Sequence, residues 1–180
     1  LKYLELEGFS FDQIKKTDLL IKNNKGEYFG RFNNRITFPV HSFSNDIVGF
    51  GARTIHNSKI KYINSQESVV FKKSQLLFGL KENLENIRLE KEIFLVEGYM
   101  DVIKLYCSGI KNAVSTLGTT LSEIQLKKMW SFSDIPYICF DGDDAGQSAS
   151  KKIAEKVLKF LLPGKSLKFI LIPENLDPDS

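Results

Sequence analysis

Six carboxylates stand in pairs just beyond three apolar stretches of this chain. Glu97 and Asp101 follow residues 93–96, Asp141 and Asp143 follow residues 137–140, and Asp177 and Asp179 come shortly after residues 167–172. Brought to one place, so many acids cannot all stay ionised without cations among them. Magnesium, or manganese in its place, suits such a set: it takes oxygen ligands, keeps several waters and is often shared with substrate phosphates. The two Asp-x-Asp pairs let neighbouring carboxylates reach one ion, with Gly142 making room in the first and Pro178 stiffening the second. The competing use of an acid after a strand is to cap the next helix, and Asp144 is read that way.

Shared placement requires elements that end together. Residues 93–96 read as a short strand buried on both faces, as in a parallel sheet. Gly98 and a helix with Val102, Ile103 and Tyr106 on one face come next, and Asp101 looks back at the strand end from one turn on. Residues 112–115 form the next strand. Thr120 and Glu123 have capping-box spacing, which starts a helix there that runs to about 131. Residues 137–140 are the third strand. Ala149, Ile153, Val157 and Leu161, spaced by four, make a helix that stops at Pro163-Gly164, and residues 167–172 are the fourth strand. Alternation of this kind predicts an α/β fold: a parallel sheet flanked by helices and built by right-handed crossovers. All three acid-bearing strand ends then fall on the edge where open sheets bind ligands.

The first half reads differently. Residues 1–20 suggest one helix, residues 22–30 a turn or hairpin link, and residues 35–40, 47–53 and 59–63 three strands. Pro39 confines the first of these to an edge or a strand end, and Gly49 and Gly51 clear one face of the second. Residues 76–89 read as a helix. The result is a smaller basic α+β subdomain, residues 1–90, preceding a domain of residues 91–180.

Charge divides along the same line. From Arg31 to Lys73 there are seven cations against two acids, a surplus of five, whereas from Ile93 onward ten lysines face eleven acids. A basic half and an acid-centred half suit a polyanion lying against a metal site. No run approaches the ~20 apolar residues of a membrane span. Cys107 and Cys139 read as buried free thiols, and His41 and His56 as solvated loop residues, so neither pair argues for zinc. The chain starts without Met and stops inside an acidic run, and it reads as a fragment of something longer.

Val96-Glu97-Gly98-Tyr99-Met100-Asp101, Leu117-Gly118-Thr119, Phe140-Asp141-Gly142-Asp143-Asp144-Ala145-Gly146 and Asp177-Pro178-Asp179 resemble the toprim signature of primases, topoisomerases and some nucleases. Arg31-Phe32-Asn33-Asn34-Arg35-Ile36-Thr37-Phe38-Pro39-Val40, Gly49-Phe50-Gly51-Ala52-Arg53, Lys61-Tyr62-Ile63-Asn64-Ser65 and Phe71-Lys72-Lys73 resemble the basic subdomain of bacterial DnaG-type DNA primases. The resemblance covers residues 27–180. It implies a toprim-type sheet and a primase core that makes short RNA primers on single-stranded DNA from ribonucleoside triphosphates by two-metal nucleotidyl transfer.

Carried over residue by residue, Asp141, Asp143, Asp177 and Asp179 are metal ligands. Glu97 is a ligand or the group that helps deprotonate the attacking hydroxyl, and Asp101 is an outer member. Arg53, Lys61 and Lys73 hold template phosphate or the triphosphate, Tyr62 stacks on a base or ribose, and Arg31 and Arg35 either join them or pair structurally. Asp144 stands where many relatives carry a basic residue. The resemblance further implies a cytoplasmic protein at the replication fork. Its zinc-binding domain, which would carry the only zinc, and its contact to the replicative helicase lie on parts not in this sequence. The alternative within the same signature is a nuclease or topoisomerase-like strand cutter; the alternative outside it is a nucleic-acid binding module whose acids are structural.

Overall fold

The structure, a computed structural model, describes residues 2–174, 176 and 178. Asp177 and Asp179 lie outside the described residues. The chain forms two compact units: residues 1–39 with 49–66, and residues 40–48 with 67–180.

The first unit begins with two short helices, α1 (Lys2–Leu6) and α2 (Phe11–Lys16), where a single helix was expected. Gly8 has a φ of +91°, which ends the first. Ser10 then opens the second: its Oγ accepts the Gln13 N–H at 3.3 Å while the Gln13 side chain accepts the Ser10 N–H at 2.7 Å. Strands β1 (Leu20–Lys22) and β2 (Tyr28–Gly30) pair as an antiparallel hairpin. Its turn is closed by Asn23 Oδ1, which takes the N–H groups of Lys25 and Glu27. Strands β3 (Arg35–His41), β4 (Ile47–Thr54) and β5 (Tyr62–Asn64) make a sheet in that order, so Pro39 does lie on an edge strand. β5 starts three residues later than expected, because residues 58–60 bend with Ser58 Oγ accepting the Ile60 N–H.

The second unit holds a 3-10 turn (Lys73–Gln75), then α3 (Leu80–Glu90), β6 (Phe94–Val96), α4 (Tyr99–Cys107), β7 (Ala113–Ser115), α5 (Glu123–Trp130), β8 (Tyr137–Phe140), α6 (Asp144–Val157) and β9 (Lys168–Leu171). The four strands are parallel, in the order β7-β6-β8-β9. α3 starts at Leu80 rather than 76, because Phe78 bridges to Ser115 and Gly79 turns at a φ of +81°. α5 is capped by Ser122 with Gln125, not by Thr120 with Glu123. α6 ends at Val157, so Leu161 is outside it and exposed.

One core sits on one face of this sheet. Leu95, Val114, Ile138 and Phe140 meet Leu80 and Ile87 of α3, Leu126, Met129 and Trp130 of α5, and Ile153 and Val157 of α6. Right-handed connection places α4 on the opposite face, because β6 to β7 runs the other way from β7 to β8 and β8 to β9. There α4 buries Tyr99, Val102 and Leu105, while Tyr106 is exposed.

Two small expectations are corrected. His41 is not a solvated loop residue: it lies on β3 with its side chain enclosed, Nδ1 3.2 Å from Glu82 and Nε2 3.2 Å from Lys81. Of the two free thiols only Cys139 is buried, since Cys107 closes α4 on the solvent side.

Candidate active site

β6 and β8 are neighbours whose connections leave toward opposite faces, which makes the gap beyond their C-terminal ends the switch point of the sheet. Glu97 is the residue after β6 and Asp141 the residue after β8. They meet there: Glu97 Oε1 accepts the Asp141 N–H at 3.2 Å. Two residues on, Asp143 is the N-cap of α6, its Oδ1 accepting the Gly146 N–H at 2.8 Å. That corrects the reading of Asp144 as the cap. Asp101, in the first turn of α4, accepts the Gly98 N–H on Oδ2 at 2.8 Å. Backbone N–H groups at two helix starts therefore aim these acids at the strand edge, so capping and a site are compatible uses of the same residues.

Two glycines allow this crowding. A β-carbon on Gly146 would stand 2.2 Å from the Asp141 carbonyl and 2.8 Å from Glu97 Oε1; one on Gly142 would stand 2.1 Å from the Pro173 carbonyl. The room made by Gly142 is thus occupied by the segment after β9.

Electrostatically the edge is uncomfortable. Burial pushes the Glu97 carboxyl above its ordinary value, and the charges of Asp143 and Asp101 push it the same way against the lowering effect of the Asp141 N–H. Burial, then Asp101 and Asp141, also raises the Cys139 thiol. Among the described residues no three acid, histidine or cysteine side chains come together closely enough to hold a metal ion. The donor chemistry of the edge still fits a hard divalent cation: the side chains are oxygen donors whose mutual repulsion such an ion would relieve. Glu97 Oε2 and Asp143 Oδ2 are the oxygens left over from the hydrogen bonds just described.

The cationic residues divide. In the first unit Arg53 and Tyr62 are directly opposite on β4 and β5, with the guanidinium 5.8 Å from the ring centre, and both are exposed, as is Lys61. Arg31 is engaged by Asp18, Nε lying 2.7 Å from its Oδ1 and 3.2 Å from its carbonyl oxygen. Arg35 donates to the carbonyls of Ile60 and Lys61 at 3.1 Å each. Both arginines therefore do the structural job that was one of their two readings. Lys73 opens the 3-10 turn of the second unit. Sequence reasoning passed over Ser122 and Gln125, which grip that turn; the signal was a Ser-x-x-Gln capping box two residues beyond the spacing it chose.

Among the described residues no helix is long and apolar enough to cross a membrane. The family model described as "DNA primase catalytic core, N-terminal domain" matches residues 1–84, and one described as "Toprim-like" matches residues 94–180. The DNA primase of Pseudomonas aeruginosa is 41% identical over 181 residues, a match covering 100% of this chain and 27% of that protein. The chain thus spans about a quarter of the length of such relatives. The crystal structure of a DNA primase domain from Pseudomonas aeruginosa aligns with a TM-score of 0.87 at 42% identity, covering 96% of this chain and 55% of that one. The structure of the DnaG primase catalytic domain bound to ssDNA aligns at 0.85 and 33% identity, covering 93% and 54%. Sheet order, edge carboxylates and these matches agree, and the chain belongs to the DnaG-type DNA primase family, as a stretch of its catalytic core that joins the N-terminal domain to a toprim-like domain.

Proposed function

We propose that this chain carries the centre that joins ribonucleotides into RNA primers on single-stranded DNA, with residues 1–90 as the nucleic-acid and nucleotide-binding part and residues 91–180 as the toprim catalytic part. The observation that carries the reading is the meeting of Glu97, Asp141 and the Asp143 cap at the switch point of a parallel sheet, with the Glu97 carboxyl pushed up by burial and by neighbouring acids. When bound, Mg²⁺ or Mn²⁺ supplies Lewis-acid stabilisation of the phosphoryl group in transfer and acidifies the attacking hydroxyl. Asp141, Asp143 and Glu97 would hold it, joined by Asp177 and Asp179, with Asp101 outside them.

Glu97 is fixed at Oε1 by the Asp141 N–H, so Oε2 is the atom left either to bind the cation or, in place of that, to help deprotonate the primer's 3′-hydroxyl. Arg53 and Lys61 hold template or nucleotide phosphate, Tyr62 offers a stacking face beside Arg53, and Lys73 anchors phosphate at its own turn. Arg31 and Arg35 act one step back: Arg35 holds the carbonyls of the residues that lead into Tyr62. In this reading the zinc site and the replicative-helicase contact belong to parts of the protein outside these 180 residues, and the protein works in the cytoplasm at the replication fork.

The test is incorporation of labelled ribonucleotide on a single-stranded template by the full-length protein and its Asp141→Ala variant. Wild-type joining that needs Mg²⁺ or Mn²⁺, lost at least ~100-fold in the variant with template binding retained, is the expected result. Cleavage of the DNA without any incorporation would overturn it in favour of a strand-cutting enzyme.

A further inference from the structure

Lys73 is held by two residues to which none of the roles above was given. Gln125, in the first turn of α5, is fully buried. Its Nε2 donates to the carbonyls of Lys73 at 3.0 Å and Leu76 at 2.6 Å, and its Oε1 accepts the Ser122 N–H at 2.9 Å. Ser122 Oγ accepts the Gln125 N–H at 3.1 Å and donates to the carbonyl of Ser74. On the other side of the turn the Lys73 N–H donates to Glu67 Oε1 at 3.1 Å.

A capping box needs only the acceptor oxygen of Gln125. The amide's two donors are thus free for a second task, and both go to the backbone of the turn that begins with Lys73. Glutamate could cap but would set a negative oxygen against those two carbonyls. The clamp also lies beside the carboxylate edge. Phe78 and Ser115 exchange both backbone hydrogen bonds, at 2.9 and 3.1 Å, and Ser115 is in register with Val96, the residue before Glu97.

We propose that Gln125, seconded by Ser122, is a positioning residue for Lys73. It fixes the backbone from which the ammonium reaches a substrate phosphate. Four methylenes leave the amine free to wander, so the one thing the fold can fix is where the side chain starts. Displacement of a reacting-group anchor by about 1 Å is enough to cost on the order of 100-fold. The inference rests on the reading of Lys73 as a phosphate-binding group.

Steady-state primer synthesis by the full-length protein tests it through Lys73→Ala, Gln125→Glu and the double variant. Lys73→Ala should raise the KM for ribonucleotide or template by about tenfold. Gln125→Glu should raise that same KM by a similar factor with kcat nearly unchanged, and should add less than about twofold to Lys73→Ala in the double variant. A purely structural role would lower the active fraction, and with it kcat, and leave KM alone. If Gln125→Glu keeps the wild-type KM while Lys73→Ala raises it, or if the two effects multiply, the positioning role is wrong and the reading of Lys73 stands. If Lys73→Ala leaves both KM values alone, the reading of Lys73 fails and takes the inference with it. Should Gln125→Glu lose its cooperative melt, Ser122→Ala, which removes the grip on Ser74, answers by the same criterion: KM raised alone, unchanged on top of Lys73→Ala.

Discussion

The two units carry opposite charges and handle them in opposite ways. The first lays its cations on an antiparallel sheet. Arg31 and Arg35 are tied down by an acid or by carbonyls, and Arg53 and Lys61 face solvent, where water screens them. The second gathers acids at one edge of a parallel sheet, where burial and mutual repulsion make the Glu97 carboxyl resist ionisation although backbone N–H groups hold these acids in place. A spread of exposed like charge costs little and recruits a polyanion. A half-buried knot of like charge costs stability and is kept where an ion of opposite sign repays it. Under the function proposed above, the contrast would separate a binding surface from a reaction centre better than net charge does.

The largest effect should come from packing at the acid edge. Gly146→Ala forces a β-carbon into the Asp141 carbonyl and Glu97 Oε1. It should cost about 1–3 kcal/mol, a fall of roughly 3–10 °C in melting temperature for a chain of this size. An unchanged melt would mean the edge is looser than described, and the contrast with the first unit would weaken.

The cations give the next test, because the structure sorts them into two kinds. Arg31→Ala should destabilise by about 1–3 kcal/mol, since it removes the ion-pair partner of Asp18 Oδ1 and leaves that carboxylate, among the described residues, only the Gln66 N–H at Oδ2. Arg53→Ala and Lys61→Ala should leave the melt in place and lower the salt dependence of single-stranded DNA binding, each by about 0.7 in the log–log slope. If Arg53→Ala melts early or Arg31→Ala changes only the slope, the sorting is wrong.

The smallest effect is the most telling about Glu97. Burial and neighbouring acids favour its protonated form in the fold, so between its ordinary value of 4.5 and the raised one the folded state holds more protons than the unfolded chain. The stability of neutral Glu97 is therefore full below 4.5 and lost as pH rises through the raised value. Metal-free protein should show that decline in a melting series against pH. Glu97→Gln should flatten it and melt slightly higher near neutrality, while losing primer synthesis. A decline that persists in Glu97→Gln would assign it to another group.

Much of this was legible in the residues. β8 was placed to the residue by its apolar run and the acid behind it, and the parallel character of the second unit followed from alternation. The misplacements share a cause: local signals compete, and packing chooses. Thr120 with Glu123 and Ser122 with Gln125 both have capping-box spacing, but only Gln125 can turn inward and satisfy the carbonyls of Lys73 and Leu76. The spacing of Leu161 fits the α6 stripe, yet the helix has already ended at Val157.

The sequence by itself determined which groups were available: oxygen ligands after strands, cations in the other half, glycines where side chains would collide. It could do so because alternation, turn chemistry and charge are local properties. Only the tertiary structure decided that β6 lies between β7 and β8, with Leu95 facing Val114 on one side and Ile138 on the other, so that Glu97 accepts a hydrogen bond from a residue 44 positions later. Strand order depends on how side chains from distant segments fill one core, and no window of sequence contains that information.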